Sequence, residues 1–185
     1  MKKFAKLISL LFEPIIVLSV LAFVGAARSG LRARELWTFL FVALVVMVVP
    51  TFLFRVWLLK KRRVDWDIVE RKNRIVPLFL LLGLVIIDTW IVSAWGNPML
   101  TALFTAFFLW LLGFFLMTLL VKISGHTSAI TLASLFLIAW YGWRLLPLLF
   151  IIPIVAWARV ALGKHTVLQT VVGVIYSGTV LLLFK

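Results

Sequence analysis

The stretch MLTALFTAFFLWLLGFFLMTLLVKISGHTS, residues 99–128, decides the class of this protein. Its first part, 99–121, carries no charge and is long enough, at about 1.5 Å per helical residue, to cross a hydrocarbon layer of about 30 Å. It stops in a polar break that gathers Lys122, Ser124, Gly125, His126, Thr127 and Ser128. Further apolar runs, at about 7–27, 36–59, 75–95, 126–143, 145–162 and 166–184, fill most of the remaining chain. The 185 residues are 65% hydrophobic and 14% charged, with a mean hydropathy of +1.21. These values predict an all-α, polytopic integral membrane protein: a helical bundle of six or seven transmembrane helices forming one domain over 1–185. The runs at 126–143 and 145–162 are short for a membrane, and Pro147 and Pro153 interrupt the second, which predicts a buried hairpin. The basic start and the small residues of GAARSG resemble a signal peptide, but Glu13 and Pro14 break the first run and further spans follow. A retained first helix, or a partly interfacial one, is therefore expected.

The net charge of +13 would suggest nucleic acid in a soluble protein. Here the basic residues cluster at the ends of apolar runs, where they set topology and meet anionic headgroups, so the expected partner is the bilayer and not nucleic acid. If every run crosses, most of the 19 Lys and Arg fall on the side holding the N-terminus, KKRRVDWDIVERKNR, KISGHTS and ARVALGKH. The positive-inside rule makes that side cytoplasmic, in a cell inner or plasma membrane. Trp37, Trp90, Trp95, Trp140 and Trp143 toward one face, with Trp57 and Trp157 toward the other, fit aromatic belts. The absence of cysteine rules out disulfides, thiolate metal sites and a cysteine nucleophile.

Both histidines, His126 and His165, fall on the same expected side, each beside a basic residue at the start of an apolar run. Taken singly, each reads as an interfacial residue satisfied by water or headgroups. Together, with Lys122 and Arg159 on that side, they read as a site. In the second break, ARVALGKHTVLQTVVG (158–173), Arg159 precedes His165 by six positions and His165 precedes Gln169 by four, which sets His165 and Gln169 on one helical face.

These segments, ISGHTS and ARVALGKHTVLQ, resemble the second and third motifs of the type 2 phosphatidic acid phosphatase superfamily of membrane lipid phosphatases, whose signatures are Pro-Ser-Gly-His and Ser-Arg-x5-His-x3-Asp. The resemblance covers roughly 122–173. It implies that His165 attacks phosphorus to form a phosphohistidine and that His126 protonates the leaving alcohol. It also implies that Arg159, Ser124 and the backbone at Gly125 bind the phosphate oxygens, with no cofactor and no metal. Imidazole chemistry near neutral pH and the planar fork of arginine suit those roles. Gln169 stands where the family has Asp: its carbonyl can orient the imidazole but brings no negative charge. Ile123 and Ala158 replace the family's Pro and Ser. The family's first motif, Lys to Arg-Pro, is matched only loosely, with Asp67 seven residues before Arg74 and Pro77 three after it. Lys122 is the candidate to supply the missing ammonium, and Arg71 and Arg74 are candidates to reach the phosphate.

The implied substrate is a lipid phosphate, a phosphatidate-like monoester or an isoprenoid (di)phosphate, whose tail stays in the bilayer. Two other readings stand beside it: a lipid-phosphate binder or transporter that has lost catalysis at Gln169, and a Mg²⁺-dependent prenyltransferase using Asp65, Asp67 and Glu70. Those acids read more simply as a solvated loop paired with Arg62, Arg63, Arg71 and Lys72. Asp88, inside the third run, is expected to be structural, bonded to Thr89 or a neighbouring helix.

Overall fold

Pro14 sets the shape of the N-terminal segment. The residue before a proline is pushed out of the helical region, and helix α1 (Lys2–Leu11) closes at Phe12 before α2 (Pro14–Arg28) restarts with the proline at its first position. Glu13 is left in the joint, with its carbonyl accepting from Val17 N at 3.0 Å. The computed structural model describes residues 1–62, 68 and 70–184, excepting the side chains of 47, 55, 58, 61 and 62. Asp65 and Asp67 of the acidic loop lie outside the described residues.

The protein is all-α: 86% of it is helical, with no strand among the described residues. After α2 come α3 (Ala33–Ala43), a π-helical turn (Leu44–Val48) and α4 (Val49–Arg62). The long helices α5 (Arg71–Ala94) and α6 (Pro98–Leu120) follow, and then α7 (Gly125–Tyr141), a 3-10 stretch (Trp143–Phe150), α8 (Ile151–Ala161) and α9 (Val167–Leu182). Among the described residues five helical stretches are long and apolar enough to cross a membrane: Lys2–Arg28, Ala33–Phe54, Arg71–Ala94, Pro98–Leu120 and Trp143–Ala161. The runs expected at 126–143 and 166–184 become helices of 17 and 16 residues, each shorter than a hydrocarbon layer needs at 1.5 Å per residue. This is the helical bundle of an integral membrane protein, with five helices of spanning length among the described residues where the apolar runs suggested six or seven.

The helices gather into two compact units. The first joins the two ends of the chain, Met1–Leu21 and Lys122–Lys185; the second is Ala22–Val121. In the second, Asn97 caps α6 by accepting from Leu100 N at 3.1 Å, and its amide donates to Ser29 O at 3.0 Å. Gly96, with φ +69, makes the turn between α5 and α6. Arg71 Nη1 donates to the carbonyls of Leu119 and Leu120 at 2.8 and 2.6 Å, satisfying the open C-terminal end of α6.

In the first unit α7 is the central element. Its Thr127, Ser128, Thr131 and Ser134 are buried along with Ala129, Ile130, Leu132 and Ala133, the pattern of a helix enclosed on all sides. The 3-10 stretch that follows has no buried residue, so of the expected buried hairpin only the α7 half is enclosed. Helix α7 packs on α9 at a seam of small and hydroxyl residues. Thr127 Oγ1 donates to Thr170 O at 3.2 Å and Ser128 Oγ to Gly173 O at 3.1 Å. Small residues let helix backbones approach closely where lipid gives no hydrophobic drive to association. A Cβ added at Gly173 would stand 2.8 Å from both hydroxyl oxygens and 3.0 Å from Ser124 O. Those hydroxyls cannot swing aside without leaving their bonds.

Gly173→Ala therefore loosens this seam, at a cost of about 1–3 kcal/mol. Gly178→Ala, where nothing lies within 4 Å, is neutral or stabilising through reduced freedom of the unfolded chain. Thermal unfolding of the two variants in one detergent checks this: a melting temperature lowered by Gly173→Ala and unchanged or raised by Gly178→Ala.

Candidate functional site

The spacing of Arg159 and His165 has a local cause. Helix α8 ends at Ala161 with Leu162 as its C-cap, and Gly163 follows at φ +66. Gly163 N donates to Val160 O at 2.8 Å and Lys164 N to Arg159 O at 3.1 Å, the paired bonds of a Schellman turn. His165 N also reaches Arg159 O, at 3.4 Å. Five intervening residues are what this turn needs to fold the histidine back onto the carbonyl of the arginine.

Thr166 then caps α9. Its hydroxyl accepts from Gln169 N at 3.3 Å, and Gln169 Oε1 accepts from Thr166 N at 3.3 Å, a reciprocal capping box. The same Oε1 lies 3.1 Å from His165 Nδ1. Because the Thr166 backbone offers only a proton, the amide atom facing it must be oxygen, and His165 Nδ1 must donate to that oxygen. The proton of a neutral His165 is thereby placed on Nδ1, which leaves the lone pair on Nε2. His165 sits one residue outside the α9 cap, so its pairing with Gln169 comes from cap geometry, not from a shared helical face.

His126 occupies the first turn of α7, behind Ser124. Ser124 caps this helix by accepting from Thr127 N at 3.4 Å, and its own backbone N donates to Gln169 O at 3.2 Å, which ties the start of α7 to the start of α9. His126 is 6% exposed. Its Nε2 lies 3.1 Å from Ser9 O, 3.4 Å from Ser9 Oγ and 3.4 Å from Glu13 Oε2. A carbonyl and a carboxylate both accept, so Nε2 carries a proton, and with a second proton on the ring His126 and Glu13 form an ion pair. Arg159, 1% exposed, donates through Nη1 to Ser9 Oγ at 2.5 Å.

The structure thus brings His126, Arg159, His165, Gln169 and Ser124 together in one unit. Gly125 is half-buried as the first residue of α7, and Lys122 is half-buried at the head of the same segment. Arg71 and Arg74 belong to the other unit. There Arg71 holds the end of α6, and Arg74 Nε donates to Ile68 O at 2.6 Å. Among the described residues no group of three His, Asp or Glu stands close enough to hold a metal ion.

Ser9 and Glu13 are additions that the motifs did not point to. Glu13 had a signal of its own, a carboxylate inside an apolar run, but it reads first as a helix break beside Pro14. Ser9 carried none. Its importance comes from the packing of α1 on α8, where Phe4 and Trp157 also meet at 6.2 Å between ring centroids.

Gln169→Ala removes the acceptor shared by Thr166 N and His165 Nδ1. The lost cap costs about 1 kcal/mol of stability, and the proton of His165 redistributes between its ring nitrogens. The measurement that checks this is imidazole ¹⁵N spectroscopy, with a single Nδ1–H tautomer expected for His165 in the parent protein and a mixture expected in the variant. Comparisons of the chain with known protein families, with curated proteins and with solved structures return no match.

Proposed function

We propose that this is a membrane lipid phosphatase whose phosphoryl group is taken up by His165 Nε2. One observation carries the reading: a buried arginine donates to Ser9 Oγ and a buried histidine lies 3.4 Å from the same oxygen, and in the same unit the proton of a second histidine is held on Nδ1 by Gln169. An arginine and an imidazole gathered around one oxygen suit a phosphate oxygen, and an imidazole with its lone pair on a defined nitrogen suits attack on phosphorus. The likeness of ISGHTS and ARVALGKHTVLQ to the phosphatidate-phosphatase motifs points the same way.

In this scheme the Nε2 lone pair of His165 attacks phosphorus and the P–O bond to the lipid alcohol breaks. The departing oxygen takes a proton from His126. Water then attacks the phosphohistidine, His126 takes the proton of that water, the P–N bond breaks and inorganic phosphate leaves. Arg159 balances the charge on the phosphoryl oxygens throughout, and the backbone at the start of α7 adds the partial positive charge of a helix N-terminus. Glu13 holds the His126 ring and supports its doubly protonated state. It also places a negative charge in the site, which Gln169 does not provide. The substrate class is a phosphomonoester or diphosphate of a lipid. The reading rests on residues of the first unit alone and asks nothing of Arg71 or Arg74.

The rival reading is a lipid-phosphate binder, favoured by one observation: the position that orients His165 is a neutral amide. Phosphate release from a panel of phosphatidate, lysophosphatidate and isoprenyl phosphates separates the two. The phosphatase reading predicts release that persists in EDTA, that His165→Ala abolishes, and that His126→Ala lowers by about 10²- to 10⁴-fold. Folded protein that binds a substrate and releases nothing establishes the binder.

In this reading the site faces the cytoplasm, which the bias of basic residues supports. Ser124 is fully buried and unsuited to carry a label, so Lys164→Cys, half-exposed in the turn before α9, is the position to probe in intact cells with an impermeant thiol reagent. Protection from outside is expected, and labelling from outside reverses the orientation.

A further inference from the structure

The second unit holds a buried acid of its own. Asp88, in α5, is 3% exposed, and its Oδ2 makes no hydrogen bond among the described residues. The expected bond to Thr89 is not formed: Thr89 Oγ1 donates to Val85 O at 2.7 Å and Phe104 O at 3.3 Å. Asp88 instead lines a small pocket with Phe39, Trp95 and Phe104 as its aromatic wall, and Val42 and Ala43 at the end of α3. Phe39 meets Trp95 at 5.7 Å and Phe104 at 5.8 Å, both edge-on. The π-helical turn Leu44–Val48 begins directly after Ala43, and such turns recur at functional sites.

A carboxylate enclosed at this depth without a hydrogen-bond donor is costly, and such acids mark ligand or ion sites. The lining side chains bring one carboxylate and three aromatic rings, a set that suits a positively charged occupant with its own donors. The space takes about one water-sized group. A quaternary ammonium or a guanidinium is too large for it. A hard metal ion seeks six or more oxygen ligands, and the lining side chains supply one carboxylate. An ammonium group matches in size, in charge and in its complement of N–H donors.

We propose that the Asp88 pocket binds an ammonium group, held by the carboxylate and the aromatic faces of Phe39, Trp95 and Phe104. The group comes from a soluble amine or from the headgroup of an aminophospholipid, and the chemistry of the pocket is the same for both.

The test is thermal stability of the purified full-length protein at constant ionic strength. It is titrated with methylammonium chloride, with sodium chloride and tetramethylammonium chloride as comparisons, and separately compared in nanodiscs of phosphatidylethanolamine and of phosphatidylcholine. A saturable rise in melting temperature with methylammonium alone, lost in Asp88→Asn, supports the site and assigns a soluble amine. A rise confined to phosphatidylethanolamine and lost in Asp88→Asn supports the site and assigns the lipid headgroup. Phe104→Leu keeps the carboxylate and removes one ring, so it weakens the same response by about 2- to 30-fold, which serves if Asp88→Asn does not fold. No response to either amine source, or a response that persists in Asp88→Asn or is unchanged in Phe104→Leu, overturns the proposal.

Discussion

A guanidinium 1% exposed inside an apolar unit is the constraint on which the first unit depends. Removing such a charge from water costs several kcal/mol unless it is paired and hydrogen-bonded. The fold meets this demand with pieces from both ends of the chain. Helix α1 delivers the Ser9 hydroxyl to Arg159. The joint forced by Pro14 leaves Glu13, the carboxylate nearest this cluster, against His126, and the Schellman turn after α8 closes over the arginine carbonyl.

The seam between α7 and α9 performs the complementary task of fixing the two histidines against each other's helices. Thr127, Ser128 and the bare backbone at Gly173 bring the helices close enough for Ser124 N to reach Gln169 O. The start of α7, which carries His126, is thus tied to the start of α9, which carries Gln169 and orients His165. Helix α7 can be short because its first half is buried in protein and need not match the thickness of the bilayer. Packing and chemistry share the same residues here: the hydroxyls that join the helices lie within one turn of the imidazole.

Much of this was legible in the sequence. Apolar runs of spanning length predicted the membrane helices, and the His165–Gln169 relation and the Arg159–His165 interval were visible as spacings. Their mechanism was not, because a cap and a Schellman turn are defined by backbone torsions that spacing only permits. The roles of Ser9 and Glu13 were hidden for a different reason: they arise from contacts between residues more than a hundred positions apart, which no local pattern encodes. Arg71 meets a demand of a kind that no motif carries. A basic residue near a phosphate-binding motif reads as a ligand, yet here its guanidinium closes the C-terminal end of α6, a demand set by helix geometry. Asp88 likewise stands beside a threonine that turns its hydroxyl to backbone carbonyls, and adjacency in sequence says nothing of that choice.

The central claim is that Gln169, by holding the proton of His165 on Nδ1, leaves Nε2 as the atom that takes the phosphoryl group. The most direct measurement is to quench the protein during turnover of a lipid phosphate, under alkaline conditions that preserve phosphoramidates, and to locate the phosphoryl group by mass spectrometry and ³¹P NMR. The account predicts one adduct, on His165, bonded through Nε2. A phosphoryl group on Nδ1 of His165 or on His126, or turnover with no phosphohistidine at all, would contradict it.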